Sequence, residues 1–289
     1  MKLADDKLLV FAHMMKTAGT SLSRELIAHF GARMHIVPGG LKMADDSYGR
    51  KDLEADIARF NDKLQLITGH PMRPYIDFGA LSNRMKWFAF FREPQKRYVS
   101  HFLHDLKWTD NFSYRRYERM KDKSIKEWEK IENYRNYQTR FIAGEENVEK
   151  AIDMLENRFC WVGITEEYQK SIQSLNVYFD LNTLNSESRP SNASSVDEET
   201  RRSVHEYYSD FIAENNENDI QLYKYVKEKM WPRYRALTAH SEAMQAGKGA
   251  RRIRRSVNTI LFHISRQAKG NKTKFNFKNL GRFYNRWYR

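Results

Sequence analysis

The sequence predicts an α/β fold: a parallel sheet flanked by helices, followed by a basic helical extension at the C-terminus. The first observation is an apolar run at residues 8–12, which fits a central parallel strand and leads through a short loop into helical spacing from Ser21. The second is another apolar strand at residues 86–91, followed by a helix that starts near Pro94. A proline suits the first turn of a helix, where its missing N–H costs nothing.

The loop after the first strand has the composition of a phosphate site. It contains one lysine, one glycine and three hydroxyl side chains, namely Lys16, Gly19, Thr17, Thr20 and Ser21. A loop that enters a helix presents backbone N–H groups and the positive end of the helix dipole, which together attract anions. The nucleotide-kinase pattern G-x-x-x-x-G-K-S/T is not met, because Lys16 precedes the glycine and no glycine lies five residues before Gly19.

Residues 16–21 resemble the 5′-phosphosulfate loop of the sulfotransferases that use 3′-phosphoadenosine 5′-phosphosulfate (PAPS). That loop commonly reads P-K-T-G/A-G/S-T-S; Met15 replaces the usual proline here, and the next six residues fit. The resemblance implies the P-loop-NTPase-like sheet of that family and a role for Lys16 in stabilising charge on the leaving phosphate. It also implies that the 5′-phosphate is held by Lys16, Thr17, Ala18, Gly19, Thr20 and Ser21.

A second segment, residues 92–102, resembles the 3′-phosphate pattern of the same family, R-D/N/E-P-x-x-R-x-x-S-x-Y/F, at every fixed position. On the predicted helix, Arg97 and Ser100 are three residues apart and share a face. A guanidinium can meet a phosphate with two N–H groups at once. The resemblance therefore implies that Arg92 and Ser100 hold the 3′-phosphate and select PAPS over ATP.

A third apolar strand, residues 64–69, ends at His70. In the heparan sulfate and uronyl 2-O-sulfotransferase branch, which the chain resembles, a histidine in a Gly-His context after a strand is the proposed base. A group with a pKa near 6.5 suits removal of a proton from an acceptor hydroxyl. A structural histidine bonded to a backbone carbonyl is the alternative. His13, His101 and His104 are expected to be structural or to line the ligand site.

Several later segments resemble the same branch, so that the resemblance covers roughly residues 7–230. They are residues 136–144, 159–168, 189–194, 198–213 (a predicted helix) and 218–223. Residues 110–132 lie where this family builds its acceptor cleft, and a solvated charged helix is the alternative there. Acceptor specificity depends on loops that no motif describes.

Charge is unevenly distributed along the 289 residues, whose net charge is +13. The tail at 232–289 carries 15 of the 50 Lys and Arg residues and one acid, Glu242, which predicts a near-neutral sulfotransferase domain at 1–231 and a basic extension. Residues 251–266 place apolar side chains on one helical stripe and arginines opposite, as a helix on an anionic membrane surface would. An anionic glycan and simple packing are equal alternatives. The aromatic and cationic residues at 274–289 suit a saccharide, and no specific nucleic-acid module is present.

One cysteine, Cys160, lies in an apolar segment, so no internal disulfide can form and a buried structural thiol is expected. The N-terminus lacks signal-peptide features, and no apolar run approaches the roughly 20 residues of a membrane span. The animal members of the family are Golgi proteins with an anchor helix. The sequence therefore predicts a cytoplasmic, bacterial member.

These features imply in-line transfer of a sulfuryl group from PAPS to a hydroxyl of a saccharide or glycan, with His70 as base and Lys16 on the leaving oxygen. No metal is expected, because Lys16 and backbone amides can neutralise the developing charge. Two alternatives remain open. One is a nucleotide or small-molecule kinase with a degenerate phosphate loop. The other is a non-enzymatic binder of membranes or nucleic acid that acts through the basic tail.

Overall fold

In the part of the chain that the structure describes, five parallel strands form one sheet, in the order β2-β3-β1-β4-β5. They are β1 (Leu8–Ala12), β2 (Met34–Ile36), β3 (Leu66–Gly69), β4 (Met85–Phe91) and β5 (Phe159–Ile164). The computed structural model describes residues 7–39, 48–60, 63–108, 123–181, 184 and 198–240. Within them, the prediction of an α/β fold with a parallel, P-loop-like sheet flanked by helices is confirmed.

Helices follow the strands and cover the sheet. They are α1 (Gly19–Phe30), α2 (Arg50–Arg59), α3 (Pro94–Trp108), α4 (Ile125–Glu132), α5 (Tyr137–Ala143), α6 (Val148–Arg158), α7 (Tyr168–Phe179), α8 (Glu198–Tyr207), α9 (Ser209–Glu214), α10 (Glu217–Tyr225) and α11 (Trp231–Arg235). A π-helical turn, Val226–Met230, joins α10 to α11. Short 3-10 helices lie at Gly31–Arg33, Gly79–Asn83, Thr165–Glu167 and Ala236–His240. No helix in the described ranges combines the length and the apolar character needed to cross a bilayer.

The central strands are buried on both faces. Every residue of β1 is at most 4% exposed, and Phe88 and Phe90 of β4 are equally covered. A strand covered on both faces is apolar throughout instead of alternating, which explains the continuous apolar run in β1. Burial of each such phenylalanine stabilises the fold by about 1.5–3 kcal/mol.

The thiol of Cys160 donates to the carbonyl of Trp87 at 3.2 Å, and burial raises its pKa to about 12.

The topology brings three loops to one edge of the sheet. Ala12 of β1 is paired with Gly69 of β3 on one side and with Ala89 of β4 on the other. From β1 the chain runs to β2 at one edge of the sheet and then returns to β3, which lies beside β1. It next crosses to the other side of β1, where it forms β4 and β5. The direction in which strands are added therefore reverses at β1. Ligands of open parallel sheets bind at the carboxyl ends of the strands beside such a switch point. The segments that follow β1, β3 and β4 all begin there.

Some elements differ from the sequence prediction. The single helix predicted at 198–213 is wrong: it breaks into α8 and α9 at Tyr208, whose φ of −111° and ψ of 18° leave the helical region. Strand β2, only three residues long and at the sheet edge, lacks the apolar run that marks the other strands. Residues 232–240 pack on the sheet domain, since the hydroxyl of Ser174 donates to the carbonyl of Tyr234 at 2.7 Å. The segments predicted at 189–194, 251–266 and 274–289, and most of 110–132, lie outside the described residues.

Candidate functional site

The loop between β1 and α1 has an unusual backbone. Lys16 and Ala18 both have a φ of 66°, and Ala18 is the left-handed N-cap of α1. Alternation of left-handed with other residues turns successive N–H groups toward a common point and forms an anion-binding nest. A non-glycine residue in this region costs roughly 1–2 kcal/mol, so its surroundings must hold it there. The backbone at Lys16–Ala18 therefore has the form of an anion cradle.

Three side chains hold this loop in place. The N–H of Met15 donates to the hydroxyl of Tyr137 at 3.2 Å, and the guanidinium Nη1 of Arg92 donates to the carbonyl of Lys16 at 3.0 Å. The hydroxyl of Thr17 donates to the carbonyl of Met14 at 3.0 Å and is fully buried. Thr17 therefore contributes its hydroxyl to the structure of the loop.

Gly19 allows a close contact that no larger residue would permit. A Cβ placed on it would lie 2.0 Å from both Cδ2 and Nε2 of His13, so the imidazole packs directly against the start of α1. In the same turn, Thr20 is half-buried and Ser21 is 6% exposed. Lys16 and Ala18 are also half-buried and reach the surface beside them. The six predicted loop residues thus surround one helix N-terminus.

Arg92 follows β4 and meets the loop from the side of that strand. Its backbone makes two hydrogen bonds with the side-chain amide of Gln138. The amide oxygen accepts from the Arg92 N–H at 3.0 Å, and the amide nitrogen donates to the Arg92 carbonyl at 2.9 Å. Burial lowers the pKa of Arg92, and the positive charges of Arg201 and Arg97 lower it further, whereas Glu166 raises it. Several cations therefore converge near the loop, as an anion site requires.

The helix after Arg92 begins where the sequence predicts. Both carboxylate oxygens of Glu93 accept N–H groups of the first turn of α3, from Gln95 at 3.1 Å and from Lys96 at 2.7 Å, which caps the helix behind Pro94. Ser100 lies further along α3 and is only 3% exposed. The structure thus places Ser100 on the predicted helix but beneath the surface, while Arg92 is half-buried at the loop.

His70 follows β3 and lies on the other side of the loop from Arg92. Its Nδ1 is 2.8 Å from the carbonyl of His13. Because a carbonyl can only accept, Nδ1 carries the proton, and the neutral ring keeps a lone pair on Nε2. Burial lowers the pKa of His70 to about 4, the bond to His13 opposes this, and the charge of Arg73 adds to the lowering. At neutral pH the ring is therefore an unprotonated base in a fixed tautomer.

Two buried arginines pack on α5, the helix whose Tyr137 holds the loop. Arg97 is fully buried and lies 4.8 Å above the ring of Tyr137, and it donates to the carbonyl of Tyr134 at 3.3 Å. Arg73 lies 5.1 Å above the ring of Phe141 and is 1% exposed. The two guanidinium groups thus contact aromatic rings of α5, and the ring under Arg97 belongs to Tyr137, which also holds Met15. Their charge adds to the positive field at the loop.

Helix α5 is fixed by reciprocal capping with α10. The carboxylate of Asp219 accepts from the N–H groups of Gln138 at 3.0 Å and Thr139 at 2.7 Å, and from the Thr139 hydroxyl at 2.8 Å. In return, the amide oxygen of Asn136 accepts the N–H groups of Asn218 at 3.0 Å and Asp219 at 3.3 Å. Each side chain satisfies first-turn donors of the other helix. The segments at 136–144 and 218–223 therefore form one platform.

Of the other histidines named from the sequence, His13 packs against the candidate base, whereas His101 and His104 lie on α3. The ring of His13 packs on His70, with centroids 4.5 Å apart, and burial lowers the pKa of His13 well below its usual value. His101 is buried against the ring of Tyr134 at 4.0 Å, and burial lowers its pKa as well. His104 lies 3.4 Å from Asp105. Within the described ranges, no cluster of three His, Cys, Asp or Glu side chains could hold a metal ion.

Sequence reasoning assigned no role to several residues that build this site. Tyr137 and Gln138 were part of a recognised segment, but their contacts with Met15 and Arg92 join elements far apart in the chain. Arg73 follows His70 by three residues and could have been noticed as a cation beside the candidate base. Asp219 lies in the resembling segment 218–223, but nothing local indicated the role of its carboxylate, because its partners lie about 80 residues earlier.

No protein-family model matches this chain, and no curated protein sequence matches it.

We expect the lowered pKa of His70 to make the fold sensitive to acid. Because the pKa of His70 is about 4 in the folded protein, the unfolded chain binds more protons between that pH and about 6.5, and stability falls as the pH drops through this window. One such group contributes a slope of at most about 1.4 kcal/mol per pH unit. Urea unfolding of the wild type and of His70→Gln, from pH 7.5 to 4.5, measures how steeply the free energy of unfolding depends on pH in each protein. The prediction fails if the substitution leaves the slope unchanged.

Proposed function

We propose that this chain is a PAPS-dependent sulfotransferase that acts on a hydroxyl of a saccharide or glycan. The observation that carries the proposal is the 3.0 Å contact between Nη1 of Arg92 and the carbonyl of Lys16, which joins two phosphate motifs that lie 76 residues apart. A co-substrate with phosphates at the 3′ and 5′ positions of one ribose needs two neighbouring anion sites. His70 follows the strand on the other flank of the same loop.

The described residues fit the two phosphates of this co-substrate. The nest at Lys16–Ala18 and the start of α1 offer N–H groups and a helix dipole to the 5′-phosphate. Nη1 of Arg92 donates to the carbonyl of Lys16 in the loop, and the other N–H groups of the guanidinium would bind the 3′-phosphate. Ser100 is covered, and the residues above it would have to move before its hydroxyl could reach that phosphate. Arg92 is therefore the principal contact in this proposal.

The chemistry assigned to this chain is proton removal and charge stabilisation. When bound, the co-substrate supplies a sulfuryl group on a phosphate leaving group. Nε2 of His70 accepts the proton of the acceptor hydroxyl, because Nδ1 is already committed to the carbonyl of His13. The ammonium of Lys16 neutralises charge on the leaving oxygen, and the fixed loop amides do so without reorganisation. The charge of the buried Arg73 lowers the pKa of His70, which keeps the ring neutral but makes it a weaker proton acceptor than a free imidazole.

Calorimetric titration of the full chain tests the proposal. Adenosine 3′,5′-bisphosphate, the nucleotide product of transfer, is expected to bind with micromolar affinity, and ATP at least tenfold more weakly. Tight ATP binding with no preference for the bisphosphate would favour a kinase. A folded protein that binds neither nucleotide would exclude both and direct attention to the basic tail.

Replacement of Lys16 by Ala separates transition-state stabilisation from binding. With PAPS and a saccharide mixture as acceptor, we expect transfer to fall about a hundredfold to a thousandfold, because a donor to developing charge in a preorganised site is worth roughly 2.7–4 kcal/mol. Bisphosphate affinity should fall by less. Lys96→Ala, an exposed lysine on α3, is the matched control and should keep wild-type turnover. Unchanged turnover in Lys16→Ala would remove this lysine from the mechanism.

A further inference from the structure

One residue contacts both halves of the proposed site. The carbonyl of His13 accepts from Nδ1 of His70 at 2.8 Å, and the two imidazole rings are 4.5 Å apart between centroids with an interplanar angle of 36°. The His13 ring also stacks on the ring of Phe11, with centroids 5.4 Å apart. Its edge presses on Gly19 so closely that a methyl group there would lie 2.0 Å from two ring atoms. The ring is therefore confined between a strand, a helix start and the candidate base.

We propose that His13 is a positioning residue that couples the phosphate loop to His70. The inference rests on the proposed function for its catalytic meaning, but its geometry does not depend on that function. Packed interiors transmit displacement because they have few voids to absorb it. A shift of the first turn of α1 must move the His13 ring, since Gly19 leaves no space between them. The ring and the carbonyl of His13 then carry the shift to His70.

The coupling gives an order to the reaction. An anion that binds the N–H groups of α1 draws the helix start into its bound position, and His13 sets the ring of His70 at the same time. Among the described residues, the titratable groups that interact with His70 are Arg73 on its own segment and His13 from the β1 side. The base is thus placed when the donor site is filled.

The test observes the imidazole of His70 directly by NMR of the full chain labelled with ¹⁵N and ¹³C. The chain has nine histidines, and loss of signals in His70→Gln identifies those of His70. Adenosine 3′,5′-bisphosphate is the probe. In the wild type it should shift the ring signals of His70. In His13→Ala, which keeps the carbonyl and removes the ring, affinity should stay within about threefold while the shift falls below a third of its wild-type size. His205→Ala on α8 is the control and should behave as wild type.

An equal shift in His13→Ala and wild type would overturn the proposal, because the bisphosphate would then act on His70 without the His13 ring.

A second experiment needs no ligand. Gly19→Ala should displace the His70 signals and destabilise the fold, and the added His13→Ala substitution should relieve both effects by making room for the methyl group. If the two substitutions act additively in this double-mutant cycle, the coupling is refuted. Failure of the wild type to bind bisphosphate would refute the proposed function, and the second experiment would still decide the role of His13.

Discussion

Replacement of Arg92 by Ala is expected to weaken binding of adenosine 3′,5′-bisphosphate by more than a hundredfold, about 3 kcal/mol or more. Two hydrogen bonds from a guanidinium to a phosphate contribute roughly 1.5–3 kcal/mol each, and they strengthen where water is excluded. The substitution also removes the bond that Nη1 makes to the carbonyl of Lys16. The loop would then lose one of the contacts that hold its left-handed backbone.

The nucleotide series locates the effect at the 3′-phosphate. Adenosine 5′-monophosphate lacks that group, so wild-type protein should prefer the bisphosphate strongly, and Arg92→Ala should lose most of this preference. Arg92→Lys should recover only part of it, since an ammonium cannot form the paired contact. Arg202→Ala is the matched control, because Arg202 is 77% exposed and paired with Glu206 on α8. If Arg92→Ala keeps the full preference, the 3′-phosphate lies elsewhere.

The sequence identifies the elements that depend on local pattern. The strand at 8–12, the strand that ends at His70 and the helix that starts at Pro94 were predicted and are present. Each has a local physical cause: a continuous apolar run buried on both faces, or a proline at a first turn. The parallel order then brings the loop, His70 and Arg92 to one edge without further information, because parallel strands end on the same side.

Other features of the site depend on contacts that no local pattern records. The hydroxyl of Thr17 was expected to face a phosphate, yet it donates to the carbonyl of Met14. The pairing of Gln138 with the backbone of Arg92 spans 46 residues, and the caps between Asn136 and Asp219 span more than 80. Such pairs form only after the sheet has placed both partners. The residues were visible in the sequence, but their roles were not.

The position of Arg92 depends on a relay of hydrogen bonds. The carboxylate of Asp219 fixes the start of α5, the side chain of Gln138 on that helix fixes the backbone of Arg92, and Arg92 fixes the carbonyl of Lys16. Tyr137 on the same helix holds Met15. A single helix start therefore orients both phosphate motifs. Disruption at Asp219 should affect stability and ligand binding together.

Asp219→Ala is expected to destabilise the protein by about 3–5 kcal/mol, because it leaves the buried N–H groups of Gln138 and Thr139 without their acceptor. This is a large part of a typical stability of about 5–15 kcal/mol. Burial raises the pKa of Asp219, while the donors and Arg97 oppose the rise, so the carboxylate is kept in the interior for its hydrogen bonds at a cost in solvation. Urea unfolding measures the loss.

Two comparisons give this result its meaning. Asp219→Asn keeps the shape and one acceptor oxygen but turns an NH₂ group toward N–H donors. Its free energy of unfolding should therefore lie between those of the wild type and Asp219→Ala. Asp210→Ala, an exposed acid in the first turn of α9, should change stability by less than about 0.5 kcal/mol. Where Asp219→Asn is still folded, bisphosphate affinity should fall about tenfold through the displaced Gln138 and Arg92. Loss of stability with wild-type affinity would show that the platform supports the fold without setting the phosphate site.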